Sequence, residues 1–457
     1  MEQLPFLQAM RRCFEAGALR SYESRVHALS RLRDALLQHE GAINEALAAD
    51  LGKSIEESWV TETGFVLSEL RHTLKHLKGW MRPERVGTNL LNLPSRSRIY
   101  REPLGVVLII GPWNYPLQLL LAPLVGALAA GNCAVLKPSE LAPRTSTIVG
   151  SLIKDAFSAE EVLVVEGDGA AVLPPMIRSF RFDHIFYTGS TTVGQKIYGL
   201  AAEQLVPVTL ELGGKSPCVI EADADLEVAA RRIAVTKFSN AGQMCVAPDY
   251  LLVHESVRDA FLDKLKATIR RFFGDDPVHS ESYGRIVNER AFERLTAYLR
   301  SGTVLFGGRA DAATRYIEPT IITDVAPDAP LLNEEIFGPL LPVLTYRTFD
   351  EAKTQILRHA DPLAFYVFTK SDATAQRWIR ELPFGGGCIN NASWHLTNPS
   401  LPFGGRGNSG MGGYHGRFSF ETFSHRKAVM QTPTWFDPAL KYPPFKGKLG
   451  LFKKVIR

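Results

Sequence analysis

Cysteine is scarce in this chain: five in 457 residues, at Cys13, Cys133, Cys218, Cys245 and Cys388, with no C-x-x-C pair among them. That spacing argues against a zinc ribbon or a redox dithiol, so no metal is expected. An odd, sparse set suits free thiols in a reducing compartment, and a cytoplasmic location is expected. Charge of one sign is scarce too. A net charge of +4 is too small to argue for nucleic acid, and none is expected as a partner. The N-terminus, MEQLPFLQAMRRCFEAG, lacks the apolar core of a signal peptide. Between Glu102 and Lys137 charge is missing altogether. GPWNYP interrupts that run with two prolines, a glycine and an asparagine. What remains is LGVVLII, short and Val/Ile-rich like a buried parallel strand, and LQLLLAPLVGALAAG, a buried helix below spanning length.

What is present is the composition of a globular protein, 45% apolar and 22% charged, with length for roughly three domains. About the first 80 residues read as helices. Val26, Leu29, Leu32 and Leu36 share one face, as do Val66, Leu70, Leu74, Leu77 and Met81, with charge opposite. From Leu104 short apolar runs alternate with helix-sized segments, which means βαβ units and a mainly parallel sheet. The alternation resumes after Ile220, so two α/β domains are expected, joined near LELGGKSP. Residues 91–103 and the glycine-rich region after 400 fit neither pattern, and read as strands and loops outside the main sheets. The tail, KYPPFKGKLGLFKKVIR, is basic with interspersed apolar residues. It is either a solvated end or a weak contact for an anionic membrane surface.

GRGNSG at Gly405 spells the G-x-G-x-x-G dinucleotide fingerprint, but its setting is wrong. Pro399 and Pro402 precede it and further glycines follow, so it reads as a loop. FYTGSTTVGQKIYG has the right setting. A strand leads into Gly189, Ser190, Thr191, Thr192, Val193 and Gly194 and then a helix, a seat for a pyrophosphate. GDGAAV at Gly167 reads as a turn. Lys137 and Glu140, at the end of the strand AVLK, form a surface ion pair or reach ribose hydroxyls. Cys245 in SNAGQMCVAP sits among small and polar residues, as an inert thiol or a nucleophile. Cys13, Cys133 and Cys218 read as core. Glu211 ends an apolar strand before Gly213 and Gly214; it is a general base or a carboxylate bonded to that turn's N–H groups. Asn114, in a turn after a buried strand, serves turn geometry or stabilises an oxyanion. Glu334, Glu335 and Phe337 form an acidic loop or clamp a sugar and a flat ring.

Together, GPWNYP, KPSE, YTGSTTVG, LELGGKSP, NAGQMC, EEIFGP and LPFGGRGNSGMGGYHG resemble the aldehyde dehydrogenase superfamily across nearly the whole chain. NAGQMCVAPDY and GYHGRFSFETFSHRKAV with KYPP look most like its class 3 members, which oxidise medium- or long-chain aliphatic and aromatic aldehydes. The resemblance implies an α/β fold with two parallel-sheet domains plus a small β oligomerisation extension. Residues 1–90 and 104–210 would form the cofactor-binding domain and 211–394 the catalytic domain. Residues 91–103 and 395–430 would form the extension and 431–457 the tail. It implies a homodimer. It also makes Cys245 the nucleophile, Asn114 with the Cys245 N–H the oxyanion site, and Glu211 the base that activates water. Lys137 and Glu140 would meet the adenosine ribose, Gly189 to Gly194 the pyrophosphate, and Glu335 with Phe337 the nicotinamide ribose and ring. Glu140 favours NAD, with NADP also accepted. Tyr115, Trp394 and Phe403 would line an apolar aldehyde tunnel. Two other readings are a CoA-acylating relative, which Glu211 argues against, and a non-enzymatic scaffold.

Overall fold

A computed structural model describes residues 3–456; Met1 and Glu2 of the N-terminal reading and Arg457 of the basic tail lie outside the described residues. Two sheets organise the chain. The first runs Gly410–Met411, Val208–Glu211, His184–Thr188, Val106–Ile110, Cys133–Lys137, Val162–Val164, parallel except for the two-residue edge. The second runs Thr303–Phe306, Thr320–Thr323, Leu340–Tyr346, Tyr250–His254, Pro217–Ile220, Ala364–Phe368, Gly386–Ile389, parallel except for its Thr303–Phe306 edge.

Val106–Ile110 and Cys133–Lys137 are buried along their whole length. That is why their sequences are unbroken apolar runs rather than alternating ones. The uncharged stretch after GPWNYP forms the helix Gln118–Ala130, buried on every side. Gly126 lets it meet the Arg417–Thr422 helix closely: a Cβ there would lie 2.5 Å from the Ser419 Cβ. The amphipathic helices Tyr22–Gln38 and Gly64–Trp80 pack on it with Leu29, Leu32, Leu36, Val66, Leu70 and Leu77 inward.

A third sheet stands apart. Glu84–Val86, Arg96–Pro103 and Ser424–Gln431 pair antiparallel, and nearly all of Ser424–Gln431 is exposed. The glycine-rich region differs from its sequence reading. Gly410 and Met411 do not reach outside the main sheets; they pair with Glu211 and Leu210 on the edge of the first one. The turn before them includes Gly407 at φ +54, and a Cβ on Gly405 would lie 2.1 Å from the Ser409 carbonyl oxygen. The glycines of GRGNSG thus serve a tight turn, and no helix N-terminus follows. Cys133 and Cys218 are buried as expected; Cys13 is only half-buried, and Cys388, also half-buried, faces the His395 ring at 3.5 Å. No helix of the described residues is long and apolar enough to cross a membrane.

Candidate active site

Asn114 follows the buried strand Val106–Ile110 in the GPWNYP turn. Its side-chain amide donates to the Gln243 carbonyl at 3.1 Å, which ties this turn to the loop carrying Cys245. That loop leaves the helix Leu226–Phe238 through Asn240 at φ +49, Ala241 at φ +50 and Gly242 at φ +74. Left-handed backbone at two non-glycine residues is strained, and bonds on all sides hold it. Glu57 accepts the Asn240 N–H at 2.7 Å, and Gln243 bonds the Arg285 carbonyl at 2.9 Å and the Val287 N–H at 3.0 Å. Gly242 admits no side chain, since its Cβ would lie 2.2 Å from the Gly338 oxygen.

These elements meet at a cavity of about 210 Å³ lined by Asn114, Gly189, Ser190, Glu211, Cys245, Glu335 and Phe337, together with Trp113, Thr188 and Leu212. Cys245 also lines a second, apolar cavity of about 230 Å³ with Tyr115, Trp394, Phe403, Tyr414 and His415. A wider groove of about 690 Å³ shares Val60, Phe65, Leu396, Thr397 and His415 with that cavity and opens to the surface. The thiol therefore stands where a chamber holding the Asn114 amide and the Glu211 and Glu335 carboxyls meets an apolar passage.

Thr191 to Gly194 do not line the chamber that holds Glu211 and Glu335; they are the first turn of the Thr191–Ala202 helix, capped by Ser190. A Cβ on Gly194 would lie 2.7 Å from Leu212, so glycine lets this helix sit close to the strand end. Lys137 and Glu140 continue the same carboxyl edge of the sheet, paired at 3.0 Å, with Lys137 buried and Glu140 half-exposed. Of the acidic pair, only Glu335 faces the cavity; Glu334 accepts a bond from the Tyr298 hydroxyl at 2.5 Å. Gly213 makes room for Glu335, whose Oε2 would sit 2.0 Å from a Cβ there.

The charges are unusual. Both carboxyl oxygens of Glu211 lack a hydrogen-bond partner among the described residues. The Gly214 N–H, the bond considered for Glu211, goes to Glu335 instead. Burial raises Glu211 well above the ordinary carboxylate range. Burial, then nearby Asp249, pushes Glu335 up to about 8. Burial, then Glu335 and Glu211, pushes the Cys245 thiol up to about 12. Lys237 is fully buried with no partner for its Nζ among the described residues, and burial holds it down to about 8. Desolvation thus favours the neutral form of each group. Since only the thiolate attacks, iodoacetamide alkylation of the cofactor-free protein is expected to rise about tenfold per pH unit between about pH 7 and 10. Mass spectrometry of Cys245 against pH checks this; a plateau below about pH 9 contradicts it.

The donors suit a dinucleotide. A helix N-terminus directly after the His184–Thr188 strand is a setting that can accept a pyrophosphate, the Lys137–Glu140 pair lies two strands along the same edge, beyond Val106–Ile110, and Glu335 with Phe337 offers a carboxyl and a ring. The unpartnered Glu211 oxygens face the same chamber. Sequence reading missed Trp113, Thr188 and Leu212 as cavity lining, although Trp113 stands inside GPWNYP. It also missed Asn240 and Gln243, two polar residues beside Cys245 that fix the loop.

Two parallel sheets with a thiol, an amide and a carboxyl gathered at their junction define the layout of a nucleotide-dependent dehydrogenase. The profile of the aldehyde dehydrogenase family matches residues 6–429. The chain is 46% identical to the 4,4'-diaponeurosporen-aldehyde dehydrogenase of Staphylococcus aureus, over 97% of each protein. It is 44% identical to the dimeric NADP-preferring aldehyde dehydrogenase of Rattus norvegicus, over 96% of this chain and 97% of that one. A solved Staphylococcus aureus AldH in a substrate-bound state superposes with a TM-score of 0.97 at 44% identity, covering 99% of both chains. The chain belongs to the aldehyde dehydrogenase family, whose members oxidise aldehydes to acids with NAD or NADP.

Proposed function

We propose that this enzyme oxidises elongated apolar aldehydes, of medium or long aliphatic chain or aromatic, to free acids through a covalent Cys245 intermediate. The carrying observation is that Cys245 lines both the chamber of the Glu211 and Glu335 carboxyls and the apolar passage. An aldehyde entering through the passage presents its carbonyl to the sulfur while its tail stays among Tyr115, Trp394 and Phe403.

The Sγ–C bond forms as the carbonyl π pair moves to oxygen, giving a thiohemiacetal. The Asn114 amide has a second N–H beyond the one given to Gln243, and this with the Cys245 N–H stabilises the oxyanion. The thiol proton is lost to solvent as the thiolate forms. Bound NAD(P) supplies the hydride acceptor. Cys245 is left as a thioester; ionised Glu211 takes a proton from water as its oxygen attacks the acyl carbon and returns it to the departing sulfur, releasing the acid and the thiol. Splitting the reaction this way gives two lower barriers. Both steps need groups that burial keeps protonated, so turnover rises with pH through neutrality. Hydrolysis rather than acyl transfer to CoA follows from Glu211 facing the thiol across one cavity; product analysis with and without CoA separates the two.

The first sheet supplies the cofactor site and the second most of the catalytic wall, with Lys137, Glu140, Gly189, Ser190, Glu335 and Phe337 holding the dinucleotide. Thr191 to Gly194 act through the geometry of the helix start. Glu140 supports NAD over NADP. The exposed strand Ser424–Gln431 supports a homodimer formed through the third sheet. The fold adds nothing in favour of the membrane contact, one of the two alternatives for the tail. The passage and outer groove make a prediction of their own. Across saturated aldehydes of rising length, KM falls by roughly two- to threefold per added methylene until the passage is filled, with kcat little changed. Steady-state kinetics on such a panel check it; a KM independent of length sinks the substrate class.

A further inference from the structure

Behind the reacting groups lies a buried ionic layer that the steps above do not use. Lys53, just past the Glu40–Leu51 helix, bonds Glu62 Oε1 at 2.6 Å and the Asn114 carbonyl at 3.1 Å. Its ammonium lies 4.1 Å from the centre of the Tyr115 ring. Both charged side chains are 0% exposed. The other Glu62 oxygen accepts the N–H groups of Leu117 at 3.1 Å and Gln118 at 2.8 Å, which start the buried helix. Asn240 Nδ2 reaches the same Asn114 carbonyl at 2.9 Å and the Gln243 carbonyl at 3.2 Å.

A fully buried ion pair is a poor source of stability, because desolvation offsets most of the attraction and apolar residues of similar volume often do as well. What this pair does have is direction. Lys53 and Asn240 clamp one carbonyl from two sides, and that carbonyl belongs to the residue whose side-chain amide serves the oxyanion. The rest of the network joins the same residue to the thiol loop. Oxyanion donors are sensitive to such placement: a shift of about 1 Å costs on the order of a hundredfold in rate.

We propose that Lys53 is a positioning residue: held by Glu62 and seated on Tyr115, it clamps the Asn114 carbonyl and so sets the reach of the Asn114 amide to the oxyanion formed on Cys245. The inference rests on the oxyanion role of Asn114 given above.

Lys53→Met alone strands the Glu62 charge and risks misfolding. The double variant Lys53→Met/Glu62→Gln removes both charges yet keeps an acceptor for Leu117 and Gln118. We expect its kcat to fall roughly 10- to 100-fold. Iodoacetamide alkylation of Cys245, which develops no oxyanion, stays within about twofold of wild type, as the thiol and its loop are intact. In an Asn114→Ala background the same pair costs less than about threefold, because the two act through one group. A folded double variant with wild-type kcat overturns the proposal. So does an equal loss in the Asn114→Ala background, and so does alkylation falling in step with kcat, which marks general disorder of the site. If Asn114→Ala itself keeps full turnover, the oxyanion reading fails first and takes this inference with it.

Discussion

Cys245→Ala is expected to abolish NAD(P)H formation from any aldehyde, by at least about 10⁴-fold. No other thiol can take over. Cys133 and Cys218 lie buried within strands, Cys13 is on the N-terminal helix, and Cys388 faces His395 on a strand outside both cavities. The loop does not depend on the sulfur, since Asn240 and Gln243 make its hydrogen bonds. The variant should therefore fold, and NAD should still raise its melting temperature as in the parent. Absorbance at the wavelength of reduced nicotinamide, with a thermal melt alongside, measures both. Substantial turnover in a folded variant would remove the nucleophile from the mechanism. Loss of the cofactor shift would indicate that the substitution damaged more than the thiol.

Glu211→Gln separates the two halves of the reaction. Its carboxyl has no hydrogen-bond partner among the described residues and shares its chamber with Cys245, so its removal leaves few bonds unmade. The amide cannot take a proton from water. Thioester hydrolysis should slow by roughly 10²- to 10⁴-fold. The first half does not use Glu211, so a burst of NADH approaching one equivalent per site precedes a much slower steady state. Rapid-mixing absorbance gives the burst, and intact mass gives the acyl adduct on Cys245. Steady turnover at the parental rate would assign the base to another group, with Glu335 the first to examine, since it faces the same cavity and burial pushes its carboxyl up to about 8.

The residues proposed for the site stood out in the sequence because each stands where a regular pattern stops. Asn114, Lys137, Gly189 and Glu211 all follow or end apolar runs, and strand ends are where α/β sheets build sites. Cys245 stood out by its small polar neighbours. The features that stayed hidden depend on contacts between distant segments. Lys53 and Glu62 look like ordinary charges on helical sequence, and only the approach of the Asn114 turn buries them. The pairing of Gly410–Met411 with the Glu211 strand involves two residues, too few to carry a period. The outer groove combines residues of the Gly64–Trp80 helix with 396–415, and no local pattern joins those stretches. Glu334 and Glu335 are adjacent in sequence, and that adjacency alone does not tell which turns inward; the family resemblance picked out Glu335, which lines the cavity.

The pairing of Gly410 with Glu211 also bears on how the enzyme comes into being. The strand that carries Glu211 keeps one open edge until a segment almost at the far end of the chain arrives to cover it. On a ribosome, both large sheets can begin to assemble while that edge is still bare and ready to pair with a stranger. Catalytic competence is therefore one of the last things synthesis delivers, and a nascent chain released before residue 410 is a candidate for the quality-control machinery rather than a partial enzyme.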